Sequence, residues 1–366
     1  MRNFNNIKRV VIKIGTNTLS KGGKIDIEYL KSIASQVQKL HERKLEVLIV
    51  TSGAIGMGAG ELGFKDKVRG IKMRQACAAI GQPLLMHEYH QAFKPLGITI
   101  SQVLLTADVM NNRASYLNLR NSIETLLRLG CVPILNENDS ISTAEIGSAF
   151  GDNDTLSALV ASKIDADLLI LLTDIDRLYT ADPRTNPGAK PIKAVTEITP
   201  EIENGAGENG STHSTGGMKT KITAVKIASN SGCRVVLANG KEPLVLPRIL
   251  AGEDLGTVFI PARRLSNRCR WILNSKPAGV VHIDDGAIEA IKQHKSLLPS
   301  GITKVEGVFG AGSVVMLSET AKAVTSFSSD ELHNIAGKHS SEIKKHLGPD
   351  RRDVVATPED IVLIDS

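Results

Sequence analysis

Residues 9 to 50 read as strand, helix, strand, and that succession constrains the fold more than any other feature of the chain. Arg9 to Ile14 is an apolar run broken only by Lys13 and ending at Gly15-Thr16, which fits a buried strand. From about Asp26 to Arg43, apolar Ile27, Leu30, Ile33, Ala34, Val37 and Leu40 recur at helical spacing, and Leu45 to Val50 is a second buried strand. Strand, crossover helix and strand form the unit of a parallel sheet. The alternation continues with a helical region at Lys72–Phe93, in which Pro83 should introduce a kink, and a strand near Ile98–Leu105. A helix at Ala114–Leu129, a strand at Cys131–Asn136, a helix from Thr155 to Ile164 and strands at Asp167–Leu172 and Arg234–Leu237 follow. Aromatic residues make up only 3% of the chain, so Ile, Leu, Val and Ala must fill the core, as suits helices packed on a parallel sheet. The expected fold is α/β, a mainly parallel central sheet flanked by helices.

Polar residues past the carboxyl ends of such strands are where ligands bind in α/β proteins. Thr51 to Gly60 follows the second strand and carries four glycines, which let backbone N–H groups approach an anion. It is not a Walker loop, since no Gly-Lys-Ser/Thr follows, and a dinucleotide loop would want an acidic strand end ~20 residues on, where this chain reads as helix. Asn136-Glu-Asn-Asp139 ends another strand; a plain turn is the alternative reading. Phe150 to Ser157 contains Asp152, Asn153 and Asp154 at a helix start, where capping and a functional site are both open. Lys13, inside a buried strand, needs a partner, and simple pairing with any nearby carboxylate at a strand end is the alternative to a functional role. Thr215-Gly-Gly-Met-Lys-Thr-Lys221 sets glycines and lysines at the start of a helix running to about Ser231, a phosphate-binding arrangement.

The 366 residues favour more than one domain, and 42% hydrophobic with 23% charged residues is ordinary for a globular protein. Formal charge is +5, but residues 276–366 hold 10 Lys+Arg against 13 Asp+Glu, a net −3, which leaves +8 on the first 275. A basic catalytic part fits an anionic substrate. Cys77, Cys131, Cys233 and Cys269 are scattered without a Cys-x-x-Cys pair, which disfavours zinc and a disulfide framework; with no apolar leader or long apolar run, the expected location is cytoplasmic. The expected division is a first domain over 1–258, a linker over 259–276 and a small module over 277–358. In the module, short strands are expected at Gly279–Ile283, Ile302–Gly307 and Ser313–Leu317, with helices near Asp285–Lys292 and Ser329–Ala336.

Val11-Ile-Lys13-Ile-Gly15-Thr16, Thr51-Ser-Gly-Ala54, Asn136-Glu-Asn-Asp139, Gly151-Asp-Asn-Asp154 and Tyr179-Thr-Ala-Asp-Pro-Arg184 occur in an order that resembles the amino acid kinase family, over nearly the whole chain. Within it, the motifs resemble those of the branch that phosphorylates glutamate. The tail from Pro277 to Pro358 resembles a PUA domain, a small β-rich fold. The resemblance implies an amino acid kinase-like sandwich that uses ATP and Mg²⁺ to phosphorylate the γ-carboxylate of L-glutamate, the committed step toward proline.

It further implies that Lys13 and Lys221 clamp the transferred phosphate and that Asp154 orients both lysines, with Lys219 ranked below Lys221. Ser52, Gly53 and Ala54 would take the substrate's α-carboxylate and Asp139 its ammonium, with Asn136 and Asn153 adding hydrogen bonds. Gly15, Thr173, Asp174 and Thr215, Gly216, Gly217, Met218, Lys219, Thr220 and Lys221 match nucleotide-binding segments, and Asp152 and Asp154 are candidates for Mg²⁺, direct or through water. L-proline as feedback inhibitor and assembly into a homo-oligomer are implied partners, and no membrane is expected. The lead-in between Glu145 and Phe150 is a residue or two longer than the commonest family loop, in a neighbourhood associated with glutamate binding and proline inhibition. The opposing reading is an RNA-binding protein whose kinase fold only senses metabolites; the module's net −3 and lack of a Lys/Arg stripe oppose it.

Overall fold

A computed structural model describes residues 2–21, 24–64, 66, 68–106, 109, 113–141, 153–181, 183, 186–205, 217–261, 265–339 and 353–364. The chain divides into two compact units, Met1–Arg264 and Leu265–Ser366. No helix among the described residues is long and apolar enough to cross a membrane.

The first unit is built on an eight-stranded sheet of β1 (Arg9–Ile14), β2 (Glu46–Val50), β3 (Ile100–Leu105), β4 (Val132–Glu137), β5 (Leu168–Thr173), β6 (Ala194–Val195), β7 (Arg234–Asn239) and β8 (Thr257–Phe259). Their order is β6-β8-β7-β5-β1-β2-β4-β3, with every pairing parallel except β7 with β8. Strand alternation divides the core into two layers. Val10, Ile12 and Ile14 of β1 join Val47, Ile49, Leu168, Ile170 and Leu172 on one face, under α1 (Ile27–Glu42) and α3 (Ile71–Phe93), which runs through Pro83. Val11, Leu48, Val50, Leu169 and Leu171 face the other way, onto α4 (Arg113–Arg128), α5 (Asn153–Lys163) and α6 (Met218–Ser229). Each such fully buried side chain contributes about 1.5–3 kcal/mol, so the register of β1 is strongly fixed. Because Lys13 shares the parity of Val11, that register also decides which helices it meets.

The glycine-rich stretch after β2 differs from the expected loop. Residues Ala54–Glu61 form a short helix, α2, and only Gly53, at φ +105°, needs glycine's backbone freedom. Gly58 serves packing: a Cβ there would meet the Cys77 carbonyl oxygen at 1.9 Å, so glycine lets α3 press against α2.

The second unit holds a five-stranded sheet of β9 (Val280–Ile283), β10 (Ile302–Glu306), β11 (Val314–Leu317), β12 (Ala321–Val324) and β13 (Ile361–Leu363), ordered β10-β9-β11-β12-β13. The sequence reading lacked the last two strands, which are only four and three residues long. Where the sequence reading expected only a linker, a helix forms, α8 (Asn267–Asn274), and in the first unit another helix, α7 (Val245–Leu250), follows β7. Ser266 caps α8 by accepting from the Cys269 N–H at 3.2 Å, a signal that the prolines on either side obscured. Lys322 of β12 donates to the Leu273 and Ser275 carbonyls at 2.6 and 2.9 Å, binding the end of α8 to this sheet.

Candidate active site

The carboxyl ends of β1, β2, β4 and β5 lie side by side in the sheet order, so the polar residues that follow them converge. Lys13, near the end of β1, is paired in register with Val50 on one side and Leu171 on the other and is only 6% exposed. Its Nζ lies 2.7 Å from Asp154 Oδ1, and Lys221 Nζ lies 3.0 Å from Asp154 Oδ2. Asp154 is itself 1% exposed. Burial pushes its carboxyl upward, but the two ammonium groups outweigh that and hold it well below the usual carboxylate range. It is therefore ionised at every physiological pH. Two ammonium groups thus converge on one carboxylate in a buried site, an arrangement that suits a phosphoryl group in transfer.

Asp154 is not a helix cap. The helix begins at Asn153, so Asp154 lies in its first turn, where its side chain goes to the lysines while Ser157 Oγ donates to its carbonyl at 2.6 Å. Gly15 sits directly beyond Lys13, with a Cβ there falling 3.4 Å from the ammonium, so any larger side chain would crowd the space before the charge. Gly217 opens α6 in an extended conformation, Met218 and Thr220 are half-buried, Lys219 is exposed and Lys221 is buried. The helical spacing from Lys219 to Lys221 turns one lysine outward and the other into the site. Thr173 is buried and donates to Asp174 Oδ1 at 3.0 Å, while Asn17 donates to Asp174 Oδ2 at 3.2 Å. Burial raises the Asp174 carboxyl, and these two bonds, its own backbone N–H and the Lys221 charge together more than reverse it.

A second group adjoins the first through Asn153. Its Nδ2 reaches the Thr51 carbonyl at 2.7 Å, Ser52 Oγ at 2.9 Å and Asn136 Oδ1 at 3.1 Å, which ties the start of α5 to the loop after β2 and the end of β4. Ser52 and Ala54 are buried and Gly53 half-buried. Tyr89 of α3, fully buried, holds the loop from behind by donating to Thr51 Oγ1 at 2.8 Å. A cavity of about 280 Å³ opens here, lined by Ala54, Gln82, Glu137 and Asp139 among others. Burial, then the neighbouring Glu137 charge, push the Asp139 carboxyl up to about 6, against a smaller opposing effect of Arg74. Asp152, Thr215 and Gly216, and the long lead-in before Gly151, lie outside the described residues.

A family model described as the amino acid kinase family matches residues 8–239, and one described as the PUA domain matches residues 279–347. The chain belongs to the amino acid kinase family. A glutamate 5-kinase of Methanosarcina mazei is 46% identical over 99% of this chain and 97% of its own length. Glutamate 5-kinases of Geobacter sulfurreducens and of Thermoanaerobacter are 43% and 44% identical, each over 98% of both chains. The fold is thus the mixed α/β sandwich of this family, followed by a β-rich PUA domain.

For an amino acid kinase the fit to ATP and Mg²⁺ can be judged from the donor set. The two buried lysines and Gly15 suit a phosphate chain. Direct magnesium ligation by Asp154 does not suit the geometry, because a dication bound there would share the carboxylate with ammonium groups at 2.7 and 3.0 Å. No cluster of three or more metal-ligating side chains occurs among the described residues. Gln82, Tyr89 and Asn17 were missed in the sequence. Gln82 and Tyr89 follow the buried positions Cys77, Ala78, Gly81, Leu85 and Phe93 of α3, so a polar residue kept on an apolar helix face was the available signal.

Proposed function

We propose that this protein transfers the γ-phosphoryl group of ATP to the γ-carboxylate of L-glutamate, giving L-glutamyl 5-phosphate, in the cytoplasm, as the first step of proline biosynthesis. The observation that carries the reading is the buried Lys13–Asp154–Lys221 array beside a cavity lined by Asp139 and the Ala54 helix start. Similarity to glutamate 5-kinases over nearly the full length supports the choice of substrate.

Phosphoryl transfer asks the protein for alignment and positive charge more than for covalent chemistry. Lys13 and Lys221 hold the transferred group from two sides, and Asp154 fixes both in direction. Ser52, Gly53 and Ala54 receive the substrate's α-carboxylate, Asp139 its ammonium, and Asn136 and Asn153 fix the geometry of that pocket. Gly15, Thr173, Asp174 and the segment from Thr215 to Lys221 hold the nucleotide. Asp152 would be the carboxylate for a Mg²⁺ ion bound with the ATP phosphates, and Asp154 would act on it at most through water; the ion would supply neutralisation of the phosphate charge. Inhibition by L-proline and assembly as a homo-oligomer belong to the same reading.

Purified protein given ATP, Mg²⁺ and glutamate with hydroxylamine should form the γ-hydroxamate. Turnover of aspartate, acetylglutamate or carbamate in place of glutamate would move the chain to another branch of the family. Salt-sensitive RNA binding without any kinase activity would overturn the enzymatic reading.

A further inference from the structure

Gln82 stands at the end of a directional chain of amide hydrogen bonds. The direction is set where chemistry leaves no choice: the Thr51 carbonyl can only accept, so Asn153 turns Nδ2 toward it at 2.7 Å, and the Glu137 N–H can only donate, so Asn136 meets it with Oδ1 at 3.0 Å. Asn153 Nδ2 reaches the same Asn136 Oδ1 at 3.1 Å. Asn136 therefore has its Nδ2 for Gln82, and Gln82 accepts with Oε1 at 2.9 Å. The other end of the Gln82 amide, Nε2, is left over. Gln82 is 8% exposed, and Nε2 is buried with no hydrogen-bond partner among the described residues.

An unpaired buried donor is costly, and one beside a cavity marks a place where a ligand's acceptor completes the bond. Gln82 forms part of the cavity wall together with Ala54, Glu137 and Asp139. The backbone before it cannot drift, because a Cβ on Gly81 would come within 1.8 Å of the Ala54 carbonyl oxygen. An amide also suits this wall better than a lysine, which would pair with Glu137 or Asp139 instead of with substrate.

We infer that Gln82 is a substrate-binding and specificity-determining residue, its Nε2 donating to a carboxylate oxygen of the amino-acid acceptor while Glu137 and Asp139 face the ammonium. The inference rests on the reading that glutamate is that acceptor. It adds a consequence: through Asn136 and Asn153, the bound carboxylate is linked to the first turn of α5, next to Asp154.

Gln82→Glu tests it, because the variant keeps the side-chain length and the oxygen that accepts from Asn136 while replacing the donor with a second oxygen. With the full chain in the hydroxamate assay, KM for glutamate should rise about 10- to 100-fold, the range of a lost bond to a charged group, and KM for ATP should stay within about twofold. Gln82→Met, of similar volume, removes both ends of the amide and should raise KM for glutamate and also lower kcat through the loosened Asn136. It is the variant to read if Gln82→Glu does not melt cooperatively. A folded variant of either kind with wild-type KM for glutamate overturns the inference and leaves the kinase reading standing. Failure of the wild-type chain to phosphorylate glutamate overturns both.

Discussion

The two units draw lysine inward for different ends, fully buried in the first and half-buried in the second. In the first, Lys13 and Lys221 converge on the two oxygens of one buried carboxylate, so the array is held by charge in a site with little solvent. In the second, Lys322 donates to two backbone carbonyls, and partial burial lowers its pKa. Carbonyls neutralise nothing, but they are the unsatisfied acceptors that a helix end presents, so Lys322 acts as a cap for α8. A lysine drawn from solvent thus becomes chemistry when a second cation shares its carboxylate and when space for an anion lies before it. The Gly15 position supplies that space for Lys13.

The largest effect that would break this contrast is expected at Asp154. Asp154→Asn should lower kcat by about 10³-fold or more and destabilise the first unit by about 3–5 kcal/mol, since two ammonium groups lose their buried counter-ion. A kcat within tenfold of wild type would show that the lysines need no orienting carboxylate. Lys13→Met and Lys221→Met should each lower kcat by about 10²–10³-fold with KM for glutamate little changed, as measured by steady-state kinetics.

Asp139 should come next, through KM. Its carboxyl titrates at about 6, so the ionised form that attracts an ammonium is lost as pH falls through that value, and kcat/KM for glutamate should decline on the acid side there. Asp139→Asn should raise KM about tenfold and remove this acid limb. The sign for stability is opposite: a carboxyl raised above its unfolded value penalises the fold when ionised, so the Asn variant should melt slightly higher at neutral pH, with the difference vanishing below about pH 4. Lys322→Met should leave kcat within about twofold while destabilising the second unit by about 1–3 kcal/mol, seen as a lower melting transition. The smallest effect is expected at exposed Lys219, where replacement by Ala should change kcat less than about threefold.

Much of the first unit was legible because its signals are local. Apolar runs such as Arg9–Ile14 and Asp167–Leu172 have few alternatives to buried parallel strands, and the observed strands keep those positions to within a residue. The parity of β1 even foretells that Lys13 faces away from Ile12 and Ile14. Non-local contacts were not legible. Gly58 looks like part of an anion loop until α3 is found against it, and Gln82 looks like an ordinary helical glutamine until Asn136 and the cavity are placed beside it. In the second unit, β13 has only three residues and β12 no more than β9 and β11, and both gain their identity from the strands they pair with.

The sequence by itself determined the succession of strands and helices, the lysines, glycines and carboxylates at their ends, and the boundary in composition before the β-rich tail. Those follow from backbone preference and from the need to bury apolar side chains, which act over a few residues. Only the tertiary structure decided that Asp154 sits between two lysines 141 and 67 positions away from it in the chain, that Asn153 binds two separate segments, and that Gln82 keeps a donor in reserve. The reason is geometric: hydrogen bonds and ion pairs hold only within about 3 Å, and which distant residues come that close is settled by how the sheet orders its strands.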